Sequence, residues 1–363
     1  MENLKSKYFM QLALMQASKV LGQTKKNPAV GCVIVKDGYL VSAGHTGING
    51  VPHAEFNAIR SGKSNVKNSD LYVTLEPCSN YGKTPPCTKL IIKKKIKKVF
   101  FSIKDPDLRS FDKSSKNFKK NNIFVNNNIN KIKIDHFYRS YKKYKNENLP
   151  FVTCKLAVSK DFYTINNKKK WITNKFSRGR VHLIRGQHDC LITGVKTVIK
   201  DNPTLNCRIK GLENRSPTRI ILDSKLNIPM SSNILKTSKT YKTIIFYNKN
   251  NKKKIKLLKK YNIKFIKGSI LPNGHFDLKK ILIKIKYLGY SRILLESGLD
   301  LVYSFLQNKL ISDFYLFISS KKLKKYGERK IKQQYKFFFN KSKNITVEKI
   351  NLFGDKLITY KLK

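Results

Sequence analysis

Long apolar runs are missing from this chain: no stretch approaches the roughly 18 consecutive apolar residues that a membrane-spanning helix needs. The segment Met1 to Val20 also lacks the apolar core and small-residue cleavage site of a secretory leader, so a cytoplasmic protein is expected. Cysteine is sparse. The six present, Cys32, Cys78, Cys87, Cys154, Cys190 and Cys207, are too few for a secreted disulfide scaffold and suit a reducing compartment. Acidic residues are few as well, 22 against 76 Lys and Arg, for a formal net charge of +54. Taken alone, that excess points to nucleic acid or an anionic membrane surface. The lysines, however, are interleaved with Asn and Ile in Lys93 to Lys98, Lys142 to Asn148 and Asn248 to Lys260, with no confinement to one face. Such runs read as solvated surface, so neither a membrane nor nucleic acid is expected as a partner. The field should still help draw in a phosphorylated substrate, an attraction that salt screens.

What is present suffices for two cores: 363 residues, 40% of them hydrophobic, with no internal repeat. Leu4, Tyr8, Leu12, Met15 and Leu21 recur at near-helical spacing before Gly22. The pair Val30 to Val35 and Tyr39 to Gly44 flanks an Asp37-Gly38 hairpin signal. A helix over His53 to Ser61, a strand over Asp70 to Leu75, a helix over Pro86 to Lys94 and a strand over Lys98 to Ile103 follow. Beyond Asp105 the apolar pattern weakens, leaving a short strand at Asn122 to Val125 and a polar helix before Pro150, which places a boundary near Asn148. A second alternation then begins, with strands at Phe151 to Val158, Cys190 to Gly194, Arg219 to Leu222, Thr243 to Tyr247, Arg292 to Glu296 and Asp313 to Ile318. Helices are expected at Asn174 to Gln187 and Leu278 to Tyr287. Both halves are therefore α/β, with domains over 1–148 and 149–363.

The sharpest chemistry lies in His53-Ala54-Glu55, Pro77-Cys78 and Cys87. A zinc ion that activates water needs about three protein ligands and an open fourth position, which one imidazole and two thiolates provide. A carboxylate two residues after the histidine can carry the proton without touching the metal, which is the pattern of zinc deaminases. The rival readings are a closed four-ligand zinc clip, or two unrelated core cysteines beside a surface histidine; the clip lacks a fourth ligand nearby and leaves Glu55 without a purpose. Eight residues separate the two cysteines, where the general signature has two.

That long spacing, within the run Val73-Thr74-Leu75-Glu76-Pro77-Cys78-Ser79-Asn80-Tyr81-Gly82-Lys83-Thr84-Pro85-Pro86-Cys87, resembles the bifunctional deaminase/reductase family of riboflavin biosynthesis, as does Asn27 to Val35. The second half carries four further matches in register: Trp171 to Thr173, Leu191 to Leu205, Ile220 to Asp223, and Leu295 to Gly298. The resemblance fades after about Lys321. It implies a cytidine-deaminase-like three-layer domain followed by a dihydrofolate-reductase-like domain, with Zn²⁺ and NADPH as cofactors. His53, Cys78 and Cys87 would hold zinc, Glu55 would be catalytic, and Asn27, His45, Lys83 and Asp105 would meet the substrate. Ala157, Trp171, Thr197, Asp201, Ser224 and Gly298 would contact the dinucleotide. Lys155, Lys169, Arg185, Leu205, Arg208 and Glu296 would face the substrate, the two arginines suiting its phosphate. Trp171 reads equally well as plain core. The implied activities are hydrolytic deamination of a phosphorylated ribosylaminopyrimidinone, then reduction of its ribosyl group to ribityl, by a homo-oligomer.

Departures from the family pattern are Asn80 for His, Asp107 for Asn, and Phe111-Asp112-Lys113-Ser114 for Ala-Gly-Arg-Gly. In the second half, Ser159-Lys160-Asp161-Phe162 replaces Ser-Leu-Asp-Gly, Lys169 replaces a serine, and Glu296-Ser297-Gly298 replaces Glu-Gly-Gly. Lost glycines put the local backbone in question, and a reductase half that has become a scaffold is one alternative. An RNA-acting deaminase is another; it would need a flipped base and a basic face.

Overall fold

The computed structural model describes residues 2–82, 84–249, 251–331 and 344–362. The chain divides into two compact units, Met1–Asn148 and Leu149–Lys363.

The first unit carries α1 (Glu2–Ser18), β1 (Gly31–Lys36), β2 (Tyr39–His45), α2 (Ala54–Gly62), β3 (Asp70–Leu75), α3 (Cys87–Lys93), β4 (Lys98–Ile103), α4 (Lys113–Lys120), β5 (Phe124–Asn126), α5 (Lys131–Phe137) and α6 (Arg139–Asn146). Its five strands run in the order β2-β1-β3-β4-β5, with β1 antiparallel to both neighbours and β3, β4 and β5 parallel. The β1–β2 hairpin turns on Asp37 and Gly38, both at positive φ, as the Asp-Gly pair leads one to expect. Two glycines show how the helices are layered. A Cβ on Gly31 would lie 1.9 Å from the Ala13 carbonyl oxygen of α1, and one on Gly44 would lie 2.4 Å from the Ala58 nitrogen of α2. Gly44 pairs with Cys32, so Gly31 and Gly44 face opposite sides of the sheet, and the helices form layers above and below it. Gly31→Ala is expected to cost about 1–3 kcal/mol or more, because the obstacle is backbone and cannot rotate away. A urea melt that left the midpoint unchanged would contradict this close packing.

The weakly patterned segment holds more helix than the sequence indicates. In α4 only Phe118 and Ser114 are buried among polar neighbours, too sparse a stripe to read.

The second unit has β6 (Phe151–Val158), β7 (Tyr163–Asn166), α7 (Lys175–Gly186), β8 (Cys190–Gly194), α8 (Val195–Asp201), β9 (Thr218–Leu222), α9 (Asn233–Lys236), β10 (Thr243–Tyr247), α10 (Lys252–Leu258), β11 (Ile263–Lys267), α11 (Leu278–Tyr287), β12 (Arg292–Leu295), α12 (Leu299–Gln307), β13 (Asp313–Ile318), β14 (Gly327–Lys330), β15 (Asn344–Val347) and β16 (Lys356–Lys361). The main sheet runs β11-β10-β9-β8-β12-β6-β13-β16-β15; it is parallel from β11 to β13, and β16 is antiparallel to β13 and to β15. Strand side chains alternate between two cores. Ile220, Leu222, Ile293 and Leu295 join α11 and α12 on one face, while Ile221 and Leu294 join α7, α8 and α9 on the other. β7 and β14 form a separate antiparallel pair. The altered Ser159 to Phe162 motif still makes a tight turn: the Phe162 nitrogen donates to the Ser159 carbonyl at 2.9 Å. Phe162 takes a left-handed φ of 68°, where the family has glycine, and its ring packs on the core.

Candidate active sites

In the first unit, β3 ends at Leu75 and the chain runs directly into Cys78, while α2 and α3 begin at the same end. His53 caps α2 in an extended conformation, and Cys87 is the first residue of α3. These three elements bring His53 Nδ1 to 3.5 Å from Cys78 Sγ and 3.4 Å from Cys87 Sγ, and the three ligand atoms lie within 4.8 Å of one another. Ligands of a tetrahedral zinc, at about 2.3 Å for sulfur and 2.0–2.1 Å for nitrogen, stand about 3.6 Å apart, so the donor set fits the ion in chemistry and spacing. No fourth His, Cys, Asp or Glu joins this group among the described residues, as an open position requires.

In the protein alone the three ligand groups share protons: the hydrogen bond to Cys78 raises His53 to about 9 and, with burial, pushes the Cys87 thiol up. A hydrogen bond from the Cys87 thiol, together with that from His53 and one from the Cys87 backbone nitrogen at 3.3 Å, lowers the Cys78 thiol to about 4. Glu55 is buried in the first turn of α2. Burial first, and the Cys78 thiolate second, raise its carboxyl to about 7 in the protein alone; a bound cation would oppose that rise.

Asn27 and His45 border the loop leading to His53. Asn27 Nδ2 donates to the Gly50 carbonyl at 2.8 Å, and the His45 carbonyl accepts from Asn57 Nδ2 at 2.8 Å. Lys83 lies outside the described residues. Asp105 is buried, accepts from the Tyr141 hydroxyl at 3.1 Å and from the Asp107 nitrogen at 3.0 Å, and is pushed up to about 6 by burial. Sequence reasoning passed over Glu76, although it sits in the most telling run. Its buried carboxylate accepts from the nitrogens of Asp105, Asp112 and Ser114, each at 3.1 Å, and from Ser114 Oγ at 2.9 Å. That network resolves the doubt over the loop without glycine: Asp112 adopts a φ of 57°, a conformation Asp tolerates better than most residues, and Glu76 holds it there.

In the second unit, the candidate residues gather at the carboxyl ends of β8, β12 and β6, adjacent parallel strands, where ligands of such sheets bind. Arg185 of α7 grips Glu296 with two bonds, Nε at 2.7 Å and a terminal nitrogen at 3.0 Å, and Lys155 Nζ stands 3.9 Å from the same carboxylate. Burial alone would raise Glu296; the Arg185 and Lys155 cations overcome it and hold the carboxyl at about 2. Asn206, which sequence reasoning missed, accepts from Arg185 through its carbonyl and from Arg208 through its side chain, both at 3.0 Å. His182, also missed, has Nδ1 3.0 Å from that carbonyl; burial, then Arg185 and Arg208, lower it to about 4. Leu205 is buried beside them at a φ of 56°.

Thr197 and Gly298 also meet here, the Gly298 nitrogen donating to Thr197 Oγ1 at 3.3 Å. Ser297, in place of a family glycine, accepts from the Gly194 nitrogen at 3.1 Å. Ala157 lies on β6, half-buried, and Ser224 follows β9. Trp171 is 52% exposed, with the Arg178 guanidinium 4.9 Å and Lys170 Nζ 5.4 Å from its ring centre, so its reading as core is corrected: an indole flanked by cations stays at the surface. Lys169 and Asp201 are exposed, and among the described residues no hydrogen bond or ion pair connects them or Trp171 to the Glu296 cluster.

Residues 4–103 match the cytidine and deoxycytidylate deaminase zinc-binding region, and residues 150–358 match the RibD C-terminal domain. Fold, ligand geometry and these matches define a zinc deaminase joined to a reductase. The riboflavin biosynthesis protein RibD of Aquifex aeolicus is 36% identical over 318 residues, 87% of each chain, and that of Chlamydia muridarum is 30% identical over 359 residues, 96% of this chain and 95% of the other. A solved structure of the diaminohydroxyphosphoribosylaminopyrimidine deaminase/5-amino-6-(5-phosphoribosylamino)uracil reductase of Thermotoga maritima superposes with a TM-score of 0.82 at 27% identity, covering 99% of both chains. The RibD of Acinetobacter baumannii gives a TM-score of 0.80 at 28% identity with the same coverage. The chain belongs to the RibD family of bifunctional riboflavin biosynthesis proteins. No helix among the described residues is long and apolar enough to cross a membrane.

Proposed function

We propose that the first unit hydrolytically removes an amino group from 2,5-diamino-6-ribosylamino-4(3H)-pyrimidinone 5′-phosphate, and that the second reduces the ribosyl group of the product to ribityl with NADPH. The observation that carries the first half is the convergence of His53, Cys78 and Cys87 beside the buried Glu55 carboxylate. A zinc ion held by those three residues would act as a Lewis acid that brings a bound water's pKa near neutrality. Glu55 takes the proton that water loses as the carbon–oxygen bond forms and returns it to the amino nitrogen, after which the carbon–nitrogen bond breaks and ammonia leaves. Asp105, fixed by Glu76, and Asn27 and His45 at the neighbouring loop orient the ring. Copies of the chain are expected to associate.

In the second unit, reduction adds a hydride and a proton to the ribosyl group, the hydride coming from the bound dinucleotide. Lys155 and Glu296 face the ribosyl group, and Arg185 and Arg208 take the 5′-phosphate. Arg208 carries more of that task, because Arg185 already spends two of its donors on Glu296. Ala157, Trp171, Thr197, Asp201, Ser224 and Gly298 are assigned to the dinucleotide.

Ser297 should weaken that binding, since its hydroxyl occupies the Gly194 amide at the start of α8, where a cofactor phosphate would otherwise be received. Ser297→Gly is expected to tighten NADPH about two- to tenfold in a fluorescence titration, the worth of one hydrogen bond. Weaker binding in that variant would reverse the assignment. Ammonia and NADPH oxidation, followed separately on purified protein fed the diaminopyrimidinone nucleotide, test the whole reading. Ammonia should appear first, and NADPH should be consumed only after it; no ammonia would defeat the proposal.

A further inference from the structure

Arg219, on β9 and 0% exposed, is among the largest fully buried side chains of the described residues. Among the described residues no carboxylate pairs with it. Its guanidinium is satisfied by neutral oxygens alone: Thr243 Oγ1 at 3.1 and 2.7 Å, the carbonyls of Thr204, Ile234 and Tyr241 at 3.0 Å, and Thr237 Oγ1 at 2.7 Å. A buried charge without a counter-ion is an expensive way to pack a core, where an apolar side chain of similar volume would serve. What the arrangement adds is geometry, because the planar fork holds five backbone and hydroxyl oxygens from three segments in fixed relation.

Those oxygens lead to the cationic cluster by two short routes. Thr204, held through its carbonyl, precedes Leu205, whose left-handed φ of 56° is a conformation a leucine keeps only when its flanks are fixed. Asn206 comes next. Tyr241, held through its own carbonyl, receives Asn206 Nδ2 on its hydroxyl at 2.9 Å. Asn206 then contacts Arg185, Arg208 and His182 at 3.0 Å each. With Lys155 the cluster sets three cations against the single Glu296 carboxylate, an excess suited to a phosphate dianion.

We propose that Arg219 is a positioning residue for phosphate recognition: by fixing Thr204 and Tyr241 it holds Asn206 where it gathers Arg185, Arg208 and His182 into one anion site. This rests on the reading that the cluster takes the substrate's 5′-phosphate. Arg219 touches no substrate and acts only through the turn and Tyr241.

The test uses the full chain with Arg219→Met, Arg219→Lys and the milder Tyr241→Phe. Steady-state NADPH oxidation is measured with the deaminated nucleotide and with its dephosphorylated nucleoside, and inorganic phosphate is titrated as a competitor. Arg219→Met should raise KM for the phosphorylated substrate by about tenfold or more, the scale of a misplaced binding group, and weaken phosphate inhibition in parallel. KM for the nucleoside should stay within about twofold, since that substrate brings no phosphate to the cluster. Arg219→Lys should fail to rescue, because a point charge cannot span the six contacts. Tyr241→Phe should shift the same ratio in the same direction by less, and it decides the matter if Arg219→Met does not fold. Equal changes for both substrates, or an unchanged ratio in Tyr241→Phe, would overturn the proposal. A wild-type chain that favours neither substrate and ignores phosphate would instead overturn the phosphate reading beneath it, before any variant is compared.

Discussion

Glu55→Ala is expected to release ammonia at least about a hundredfold more slowly than the unaltered chain while keeping its full complement of zinc. The two halves of that statement come from different atoms. Zinc is retained because His53, Cys78 and Cys87 supply the donor set, and the Glu55 carboxylate is not among the converging ligand atoms. Rate is lost because Glu55 is the one acid in the first turn of α2, buried and within electrostatic reach of both His53 and Cys78. With a methyl group there, the proton leaving water has no carrier, and the amino group must depart without protonation. The loss should appear in kcat more than in KM, since Glu55 is assigned no part in holding the ground-state ring. Ammonia release at the wild-type rate, with zinc intact, would remove Glu55 from the mechanism; loss of zinc together with rate would make it a structural support of the ligands instead.

The second large effect is expected at Glu296. Replacing it with alanine strands the Arg185 guanidinium and Lys155 in a site from which water is largely excluded, and removing one partner of a buried pair costs about 3–5 kcal/mol. For a unit of this size that corresponds to a fall in melting temperature of roughly 6–20 °C. The effect has a defined pH dependence. The folded protein holds the Glu296 carboxyl at about 2, below its ordinary 4.5, so the stability it contributes is fully present above about 4.5 and is lost as pH falls through about 2. Urea melts of wild type and Glu296→Ala should therefore differ widely at pH 6 and converge as the pH approaches 2. A gap that widened on acidification would mean that Glu296 is not the ionised partner of Arg185. NADPH oxidation should also be lost even at temperatures where the variant remains folded, because the same carboxylate is assigned to the ribosyl group.

Much of this was legible in the sequence where chemistry and periodicity coincide. The Asp37-Gly38 pair signalled its hairpin, and the parallel strands β8, β9 and β12 announced themselves as short β-branched and leucine-rich runs. His53, Cys78 and Cys87 could be read as ligands because zinc requires those donor types, although they lie 25 and 9 residues apart along the chain and meet only through α2, β3 and α3. Less legible were residues whose value is set by what surrounds them. Glu76 gains meaning from four donors that arrive from a loop some thirty residues on, and nothing in its neighbours predicts that. Asn206 and Arg219 likewise depend on long-range partners, Tyr241 and Thr243 among them, so a polar residue in a turn and a basic residue in a strand passed as ordinary. The lost glycines misled for a related reason. Glycine loss warns of strain, yet Asp112 is held by Glu76 and Phe162 by a core contact, and both positions keep the left-handed backbone without glycine. Helix α4 escaped notice because a single buried Phe118 makes no stripe.

Zinc-edge X-ray absorption on the purified full chain addresses the metal centre most directly. The expected spectrum shows two sulfur scatterers at about 2.3 Å and one imidazole nitrogen at about 2.0–2.1 Å, with the remaining position filled by a light atom, and loses one sulfur in Cys87→Ser. A first shell of four protein ligands, or one with no sulfur at all, would contradict an imidazole and two thiolates sharing one ion, and with it the deaminase.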